Sequence, residues 1–156
     1  MKEKILEAFR ELGFKLEEEE GMGYCFNYEG LNLLYMYNEN DEEFLHIALP
    51  GIVDVEEDKM LQICALLEKI NSTLKYIKAY MLGNSVWLFY ERELFGEEDL
   101  MTVISRMILH LEAGLSFARK AMAEIEETMT NDSSDDDTAE SAEEIDAEEI
   151  TDDDNE

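Results

Sequence analysis

The sequence predicts an α+β domain: an N-terminal helix, a twisted antiparallel sheet of five or six strands interrupted by a middle helix, and a long C-terminal helix. Apolar residues recur at helical spacing near the start, in the middle and over residues 100–129. Short apolar and aromatic runs, separated by turn residues, lie between these segments. The composition then becomes acidic and polar. We therefore place the domain at residues 1–128 and an acidic disordered tail at residues 129–156.

The first element is a short amphipathic helix over residues 2–12. Ile5, Phe9 and Leu12 recur at helical spacing and form one apolar stripe. Gly13 follows where a helix is expected to stop, because glycine adopts the left-handed conformation of a helix end without strain.

Three or four strands follow the first helix. Glycines and an Asn-Glu-Asn-Asp-Glu stretch separate the runs at the intervals an antiparallel meander needs. In the runs at 31–37 and 44–49 both faces are apolar or aromatic, so we expect helices or another subunit to cover the second face. The four runs are residues 14–19, 22–29, 31–38 and 43–50.

A middle helix comes next. Pro50 and Gly51 close the strand section, and Asp54 or a neighbour is placed to cap the helix. The apolar stripe of this helix is broad. A hairpin is predicted after the helix, with strands at residues 75–82 and 86–94 joined by a Gly83-Asn84 turn. The stripe comprises Met60, Ile63, Cys64, Leu67, Ile70 and Leu74, broadened by Leu61 and Leu66.

The last helix starts after Gly96, and acidic residues 97–99 are favourable in its first turn. About thirty residues at ~1.5 Å each span ~45 Å, whereas a globule of this size has a radius of gyration near ~14 Å. The helix therefore either bends, with Gly114 as the candidate position, or extends past its domain. An extension with an apolar stripe would need a partner.

The net charge excludes two classes of partner. Residues 131–156 contain 14 acidic residues and no Lys or Arg, and residues 1–130 hold 26 acidic and 12 basic residues, so each part contributes −14 to the total of −28. Direct nucleic-acid binding and binding to an anionic membrane both require clustered basic residues. The N-terminus does not resemble a signal peptide, and we find no run suited to a bilayer span, so we expect a cytoplasmic protein.

No residue pattern indicates catalysis, a cofactor or a metal. Cys25 and Cys64 lie outside any zinc or disulfide spacing and are predicted to be buried free thiols. His46 and His110 have no third ligand at matching spacing, so we expect both to be satisfied structural histidines. The acidic stretch from Asn38 lacks the glycine and the final carboxylate of a calcium loop. No nucleophile elbow or phosphate-binding glycine motif is present. We therefore expect no enzymatic activity.

The hairpin KYIKAYMLGNSVWLFYEREL is primarily architecture, because aromatic and β-branched residues are typical of sheets. Its surplus of aromatic residues, together with the long helix, still favours a surface for protein. The candidate residues for partner binding or a dimer interface are Tyr76, Tyr80, Trp87, Phe89, Met107, Leu111 and Leu115.

The stretch from Leu49 to Glu91 resembles the YbjN-type proteins, whose fold is similar to that of the class I chaperones of type III secretion. The resemblance rests on INSTLKYIKAY at residues 70–80 and VWLFYE at residues 86–91, and it covers roughly the first 127 residues. It implies a type III secretion chaperone-like α+β domain that is often a homodimer. Secretion chaperones bind an extended client segment on apolar grooves, and regulatory or stress-related roles are suggested for YbjN-type proteins.

These observations favour a non-enzymatic protein-binding module, chaperone-like or regulatory, that acts as a homodimer on a peptide or protein partner. The alternative is an acidic nucleic-acid mimic, or electrostatic decoy, that binds a basic protein through the tail.

Overall fold

The computed structural model describes residues 1–136 and consists of one sheet with three helices on one side. The six strands are antiparallel and lie in the order β1-β2-β3-β4-β6-β5. This confirms the predicted α+β class. The elements are α1 (Lys2–Glu11), β1 (Glu17–Glu19), β2 (Gly23–Tyr28), β3 (Leu31–Met36), β4 (Phe44–Asp54), α2 (Met60–Thr73), β5 (Ile77–Leu82), β6 (Ser85–Glu93) and α3 (Leu100–Asp136).

The main core lies between the sheet and the helices. Successive side chains of a strand point to opposite faces, so alternate residues of β3, β4 and β6 enter this core. Each of the three helices contributes its apolar stripe. Fully buried members of the core include Ile5, Phe9, Leu33, Ile47, Ile63, Leu66, Ile70, Leu88, Ile104 and Leu111.

Strand β4 is longer than predicted, because it continues through Pro50 and Gly51 to Asp54. The pairing with β6 changes register between Leu49 and Val53, and Gly51 has a φ of 62°. Proline has no N–H to donate, but an irregularity in the ladder tolerates it. The Pro-Gly pair is therefore a bend within one strand.

The predicted cap of α2 is wrong. Asp54 belongs to β4, and a 3-10 turn at Glu57–Lys59 leads into the helix without a side-chain cap. The buried stripe is narrower than predicted and contains Ile63, Leu66 and Ile70.

The prediction of two buried free thiols holds only in part. Both thiols are free, but Cys64 is exposed and Cys25 is half-buried. Cys64 follows the buried Ile63 by one position, which is a rotation of about 100° around a helix.

Helix α3 is a single element of 37 residues, about 55 Å long at ~1.5 Å per residue. A Cβ atom at Gly114 would lie 3.3 Å from Leu88 Cδ1, so this glycine permits a close approach of α3 to the sheet. Among residues 1–132, the last buried residue is Ala121, which is 4% exposed. The helix therefore extends past the core, the second of the two predicted possibilities.

Helix α3 includes residues 129–136, which were predicted to belong to the acidic tail. Adding residues to an existing helix avoids the cost of nucleation. The rest of the predicted disordered tail, residues 137–156, lies outside the described residues.

Side chains before α3 cap its start. Asp99 accepts hydrogen bonds from the Met101 and Thr102 backbone N–H groups at 3.2 and 3.4 Å. Its other oxygen accepts from the Thr102 hydroxyl at 2.7 Å, and these bonds hold the pKa of Asp99 below its usual value. Residues 97–99 thus precede the helix rather than form its first turn.

By length and composition alone α3 could cross a membrane, contrary to the sequence prediction that no run is suited to a span. Of its most apolar window, 39% is buried inside the domain. The buried residues are those that enter the core that α3 shares with the sheet, α1 and α2, as in the core helix of a globular protein.

Candidate functional site: the open face of the sheet

The sheet surface opposite the three helices is called here the open face. Leu34, Ala48 and Phe89 form a continuous row across β3, β4 and β6, because Leu34 pairs with Ala48 and Ala48 pairs with Phe89. All three side chains are buried, although no described helix packs on this side. Their cover comes from neighbouring side chains of the same sheet.

Aromatic side chains cover the open face over β6. The Tyr80 ring stacks on Phe89 with centroids 4.0 Å apart and an interplanar angle of 5°. Trp87 lies 6.0 Å from Phe89, and its Nε1 donates a hydrogen bond to Ser85 Oγ at 3.0 Å. We call Tyr80, Trp87 and Phe89 the aromatic cluster. Phe89 is 0% exposed and Tyr80 is 41% exposed, so the cluster presents one ring to solvent above a buried one.

A polar group adjoins the aromatic cluster. His46 packs against Phe89 at 5.6 Å, and its Nε2 lies 3.4 Å from Glu91 Oε1. That contact does not have the geometry of a hydrogen bond, so the buried Nε2 has no hydrogen-bond partner among the described residues. Glu91 also forms an ion pair with Lys78. The prediction of a satisfied histidine is therefore wrong for His46.

Burial sets the protonation state of His46. Loss of solvation lowers the pKa of the imidazole. Lys78 lowers this pKa further, while Glu91 and Asp41 raise it. Because burial dominates, His46 is neutral at neutral pH and forms no full ion pair with Glu91.

A cavity of about 370 Å³ lies beside this polar group. Met22, Met36 and Phe44 supply its apolar walls, and Asp41 and Glu91 supply carboxylates. The cavity extends the open face toward the β3–β4 loop. A partner lying across the face would therefore meet both apolar and acidic groups.

The edge of the sheet next to the aromatic cluster is blocked by a side chain. Asn71 of α2 donates from Nδ2 to the Ala79 carbonyl at 2.9 Å and accepts from the Ala79 N–H at 2.8 Å. The amide thus satisfies the groups that a neighbouring strand would otherwise use. This protects β5 against edge-to-edge pairing. The open face is then the accessible part of the hairpin.

The structure divides the predicted interface residues into three places. Tyr80, Trp87 and Phe89 lie together on the open face. Tyr76 lies elsewhere, stacked on Tyr90 near His110. The remaining three predicted residues point into the core and are at most 6% exposed, so packing within one chain accounts for them: Met107, Leu111 and Leu115.

Sequence reasoning missed two features of this region. The unpartnered Nε2 of His46 depends on the register that pairs His46 with Glu91 across β4 and β6. The position of Asn71, near the end of an amphipathic helix, offered a weak signal, since a polar residue there could contact the following strand. Both features depend on tertiary placement.

Within residues 1–132 no three His, Cys, Asp or Glu side chains converge in a metal-binding arrangement. Cys25 lies on the open face, where burial raises the pKa of its thiol and Glu19 and Glu17 raise it further. Such a thiol is a weak nucleophile. The side chains of the open face are suited to non-covalent contact with apolar, aromatic and cationic groups.

The comparisons with known proteins support the fold. No family model and no curated protein matches the chain. Among solved structures, the chain is similar to YbjN from E. coli, a suggested transcription regulator, with a TM-score of 0.57 and 13% identity over 74% of this chain and 86% of that one. It is also similar to an uncharacterized protein from Methanothermobacter thermautotrophicus, with a TM-score of 0.50 and 18% identity over 81% and 97% of the two chains. The chain thus has a YbjN-like fold.

Proposed function

We propose that this chain is a non-enzymatic protein-binding module, chaperone-like or regulatory, that holds an extended peptide or protein segment on the open face of its sheet. The supporting observation is the aromatic cluster, in which the half-exposed Tyr80 ring lies over a fully buried Phe89. Aromatic residues are enriched in protein interfaces because they combine a large contact area with few rotatable bonds. We place the protein in the cytoplasm.

The surroundings of the cluster favour a protein partner over a nucleic acid. Glu17 and Glu19 lie on the same face as Cys25, and Glu91 and Asp41 line the adjoining cavity. These carboxylates repel phosphates and suit a segment that combines apolar side chains with Lys or Arg. The similarity to a suggested transcription regulator agrees with a regulatory version of this role.

The homodimer in this proposal uses a different surface. A groove of about 380 Å³ lies between α2 and the distal part of α3 and is lined by Ala65, Ala121, Ile125 and Met129. Leu61, on the same side of the molecule, is 70% exposed. Contact with a second chain would bury this groove and leave the open face accessible. Light scattering on the full chain tests it: a dimeric mass that Ile125→Glu reduces to the monomeric mass supports this surface, and a monomeric wild type contradicts it.

Site-specific photo-crosslinking tests the binding role. A photoreactive phenylalanine analogue replaces Tyr80 in one full-length variant and Leu109, which is 51% exposed on α3, in a control variant, and both are irradiated in native cytosol. We expect Tyr80 to capture a protein that Leu109 does not, and the purified partner to bind wild type more tightly than Tyr80→Ser. Equal capture at both positions, or equal affinity of wild type and Tyr80→Ser, would contradict the proposal.

The charge distribution favours a second candidate. Residues 131–156 carry −14 without a basic residue, and such a segment can occupy the basic site of another protein as a nucleic-acid mimic. Truncation after Thr130 separates the two functions. Mimicry predicts that partner binding is lost on truncation and is strongly salt-sensitive before it, whereas binding on the open face survives truncation.

A further inference from the structure

A second cavity lies away from the open face, where β6, the start of β5 and α3 meet. Its volume is about 670 Å³, within the ~300–1,000 Å³ usual for small-molecule sites. Tyr76, Tyr90 and Phe95 supply aromatic walls, and Arg92 and Arg106 supply guanidinium groups. We call this space the basic cavity.

The aromatic walls are ordered by mutual contact. Tyr76 stacks on Tyr90 with centroids 5.6 Å apart and an interplanar angle of 10°. His110 meets both rings edge-on at 5.7 Å and is held by a hydrogen bond from its Nδ1 to the Arg106 carbonyl at 2.7 Å. Tyr76 is 65% exposed and Phe95 is 76% exposed, so two aromatic faces remain accessible at the mouth of the cavity.

Tyr76 has a strained backbone. Its φ is 67°, in the left-handed region that a bulky residue rarely adopts. Such strain persists only where surrounding contacts enforce it, and it is concentrated at functional sites. The strained conformation holds the Tyr76 ring parallel to Tyr90, at the entrance of the basic cavity.

Basic groups converge here in an otherwise acidic domain. Arg106 has no ion-pair partner among the residues described, and Arg92 lies 3.7 Å from Glu98, which also accepts the Phe95 and Gly96 N–H groups. Burial raises the pKa of the Tyr90 hydroxyl, whereas both arginines lower it, in agreement with their positions near that group. Lys75 lines an adjoining cavity that shares Tyr76 and His110, and Glu93 is the acidic residue of the wall.

We propose that the basic cavity binds a small planar aromatic molecule that carries a phosphate or carboxylate group. The ring lies against Tyr76 and Phe95, and the anionic group lies between Arg92 and Arg106. Arginine suits this role because its planar fork donates two parallel hydrogen bonds to a carboxylate or phosphate. The site is separate from the open face and does not depend on the proposed partner-binding function.

The ligand is a small molecule rather than a polynucleotide. Residues 1–130 have a formal charge of −14. Any phosphate of a polynucleotide that Arg92 and Arg106 cannot contact is therefore repelled by the negative charge of the domain. A ligand with one anionic group gains the local contact without that cost. The affinity of the basic cavity should therefore be lower for an oligonucleotide, counted per nucleotide, than for a mononucleotide.

Calorimetric titration of the full chain tests separately whether the cavity binds the ring and the anionic group of the ligand. The probes are adenosine 5′-monophosphate, adenosine without the phosphate, ribose 5-phosphate without the ring, and a ten-residue oligoadenylate. We expect the monophosphate to bind at least tenfold more tightly than either fragment, since each contact contributes about a factor of ten. Equal binding of monophosphate and fragments, or tighter binding by the oligoadenylate, overturns the proposal.

Matched variants locate the site. Arg106→Gln should weaken monophosphate binding about tenfold, whereas Arg119→Gln, the same change at an exposed position on α3, should leave it unchanged. Tyr76→Gly removes the ring while accommodating the positive φ, so the fold is retained and binding falls. Tyr80→Ser, on the open face, should have no effect. Equal affinities for the Arg106 and Arg119 variants would overturn the assignment.

Discussion

The two faces of the sheet carry similar residues but are covered in different ways. On the helix side, Ile47 and Leu88 lie beneath helices and belong to one continuous core. On the open face, Ala48 and Phe89 are equally buried, but their cover is a layer of side chains from the sheet itself. Burial alone therefore does not distinguish a core from a binding surface. A half-exposed side chain that covers a buried residue can move aside more readily than a packed helix.

From this contrast we propose that packing on the helix side supplies most of the free energy of unfolding, whereas the open face binds the partner. Variants on each face test this division.

Leu111→Ala should destabilise the protein by about 2–5 kcal/mol, because Leu111 is 0% exposed beneath the sheet and its truncation leaves a cavity. Urea denaturation measures the change. Leu109→Ala, at a 51% exposed position on the same helix, is the control and should change stability by less than about 0.5 kcal/mol. Equal losses would show that α3 does not pack as described.

Asn71→Ala should destabilise by about 1–3 kcal/mol, because the Ala79 N–H and carbonyl lose their partner. The variant should also self-associate through the exposed edge of β5. Denaturation and light scattering measure the two effects. Ser72→Ala, one residue later, is the control, and an Asn71→Ala variant with the mass and the stability of wild type would contradict the edge-blocking role.

Tyr80→Ala should cost only about 0.5–1.5 kcal/mol of stability, the range of an aromatic stacking contact, since Tyr80 is half-exposed. Its larger effect should be on partner affinity. Denaturation combined with binding to the cross-linked partner distinguishes these effects. A loss of stability as large as that of Leu111→Ala, with unchanged affinity, would make the open face a second core.

His46 should make stability depend on pH. Burial lowers its pKa in the folded state, so the neutral form favours folding and stability is full above the ordinary value near ~6.5. As the pH falls below that value the unfolded chain takes up the proton first, and stability is lost. The fall in melting temperature between pH 7.5 and pH 5.5 should therefore be smaller in His46→Gln than in wild type. Identical falls in the two proteins would contradict a buried neutral His46.

Much of the fold could be predicted because its signals are local. Helical spacing of Ile5 and Phe9, and turn residues at Gly83-Asn84, identify α1 and the β5–β6 hairpin within a few residues. The end of β4 was misplaced, because a Pro-Gly pair is a common strand terminator and only the pairing with β6 carries the strand past it.

The candidate site was harder to predict because it depends on which face the helices cover. The sequence grouped Tyr76 with Tyr80, but the positive φ of Tyr76 turns it toward Tyr90 on the helix side. It also grouped Leu111 with the interface, because an apolar stripe has the same spacing whether it meets a sheet or a partner. Tyr80, Trp87 and Phe89, which were predicted as candidate interface residues from the aromatic surplus of the hairpin, lie together on the open face.

The most direct test of the division between the two faces is the affinity of the partner for matched variants of each. Dissociation constants are measured for the wild type, Trp87→Ala on the open face and Leu61→Ala on α2. We expect Trp87→Ala to weaken binding at least tenfold, the loss typical of an aromatic hot spot, and Leu61→Ala to leave the affinity unchanged. Unchanged affinity for Trp87→Ala together with a loss for Leu61→Ala would place partner binding on the helix side and contradict a binding site on the open face.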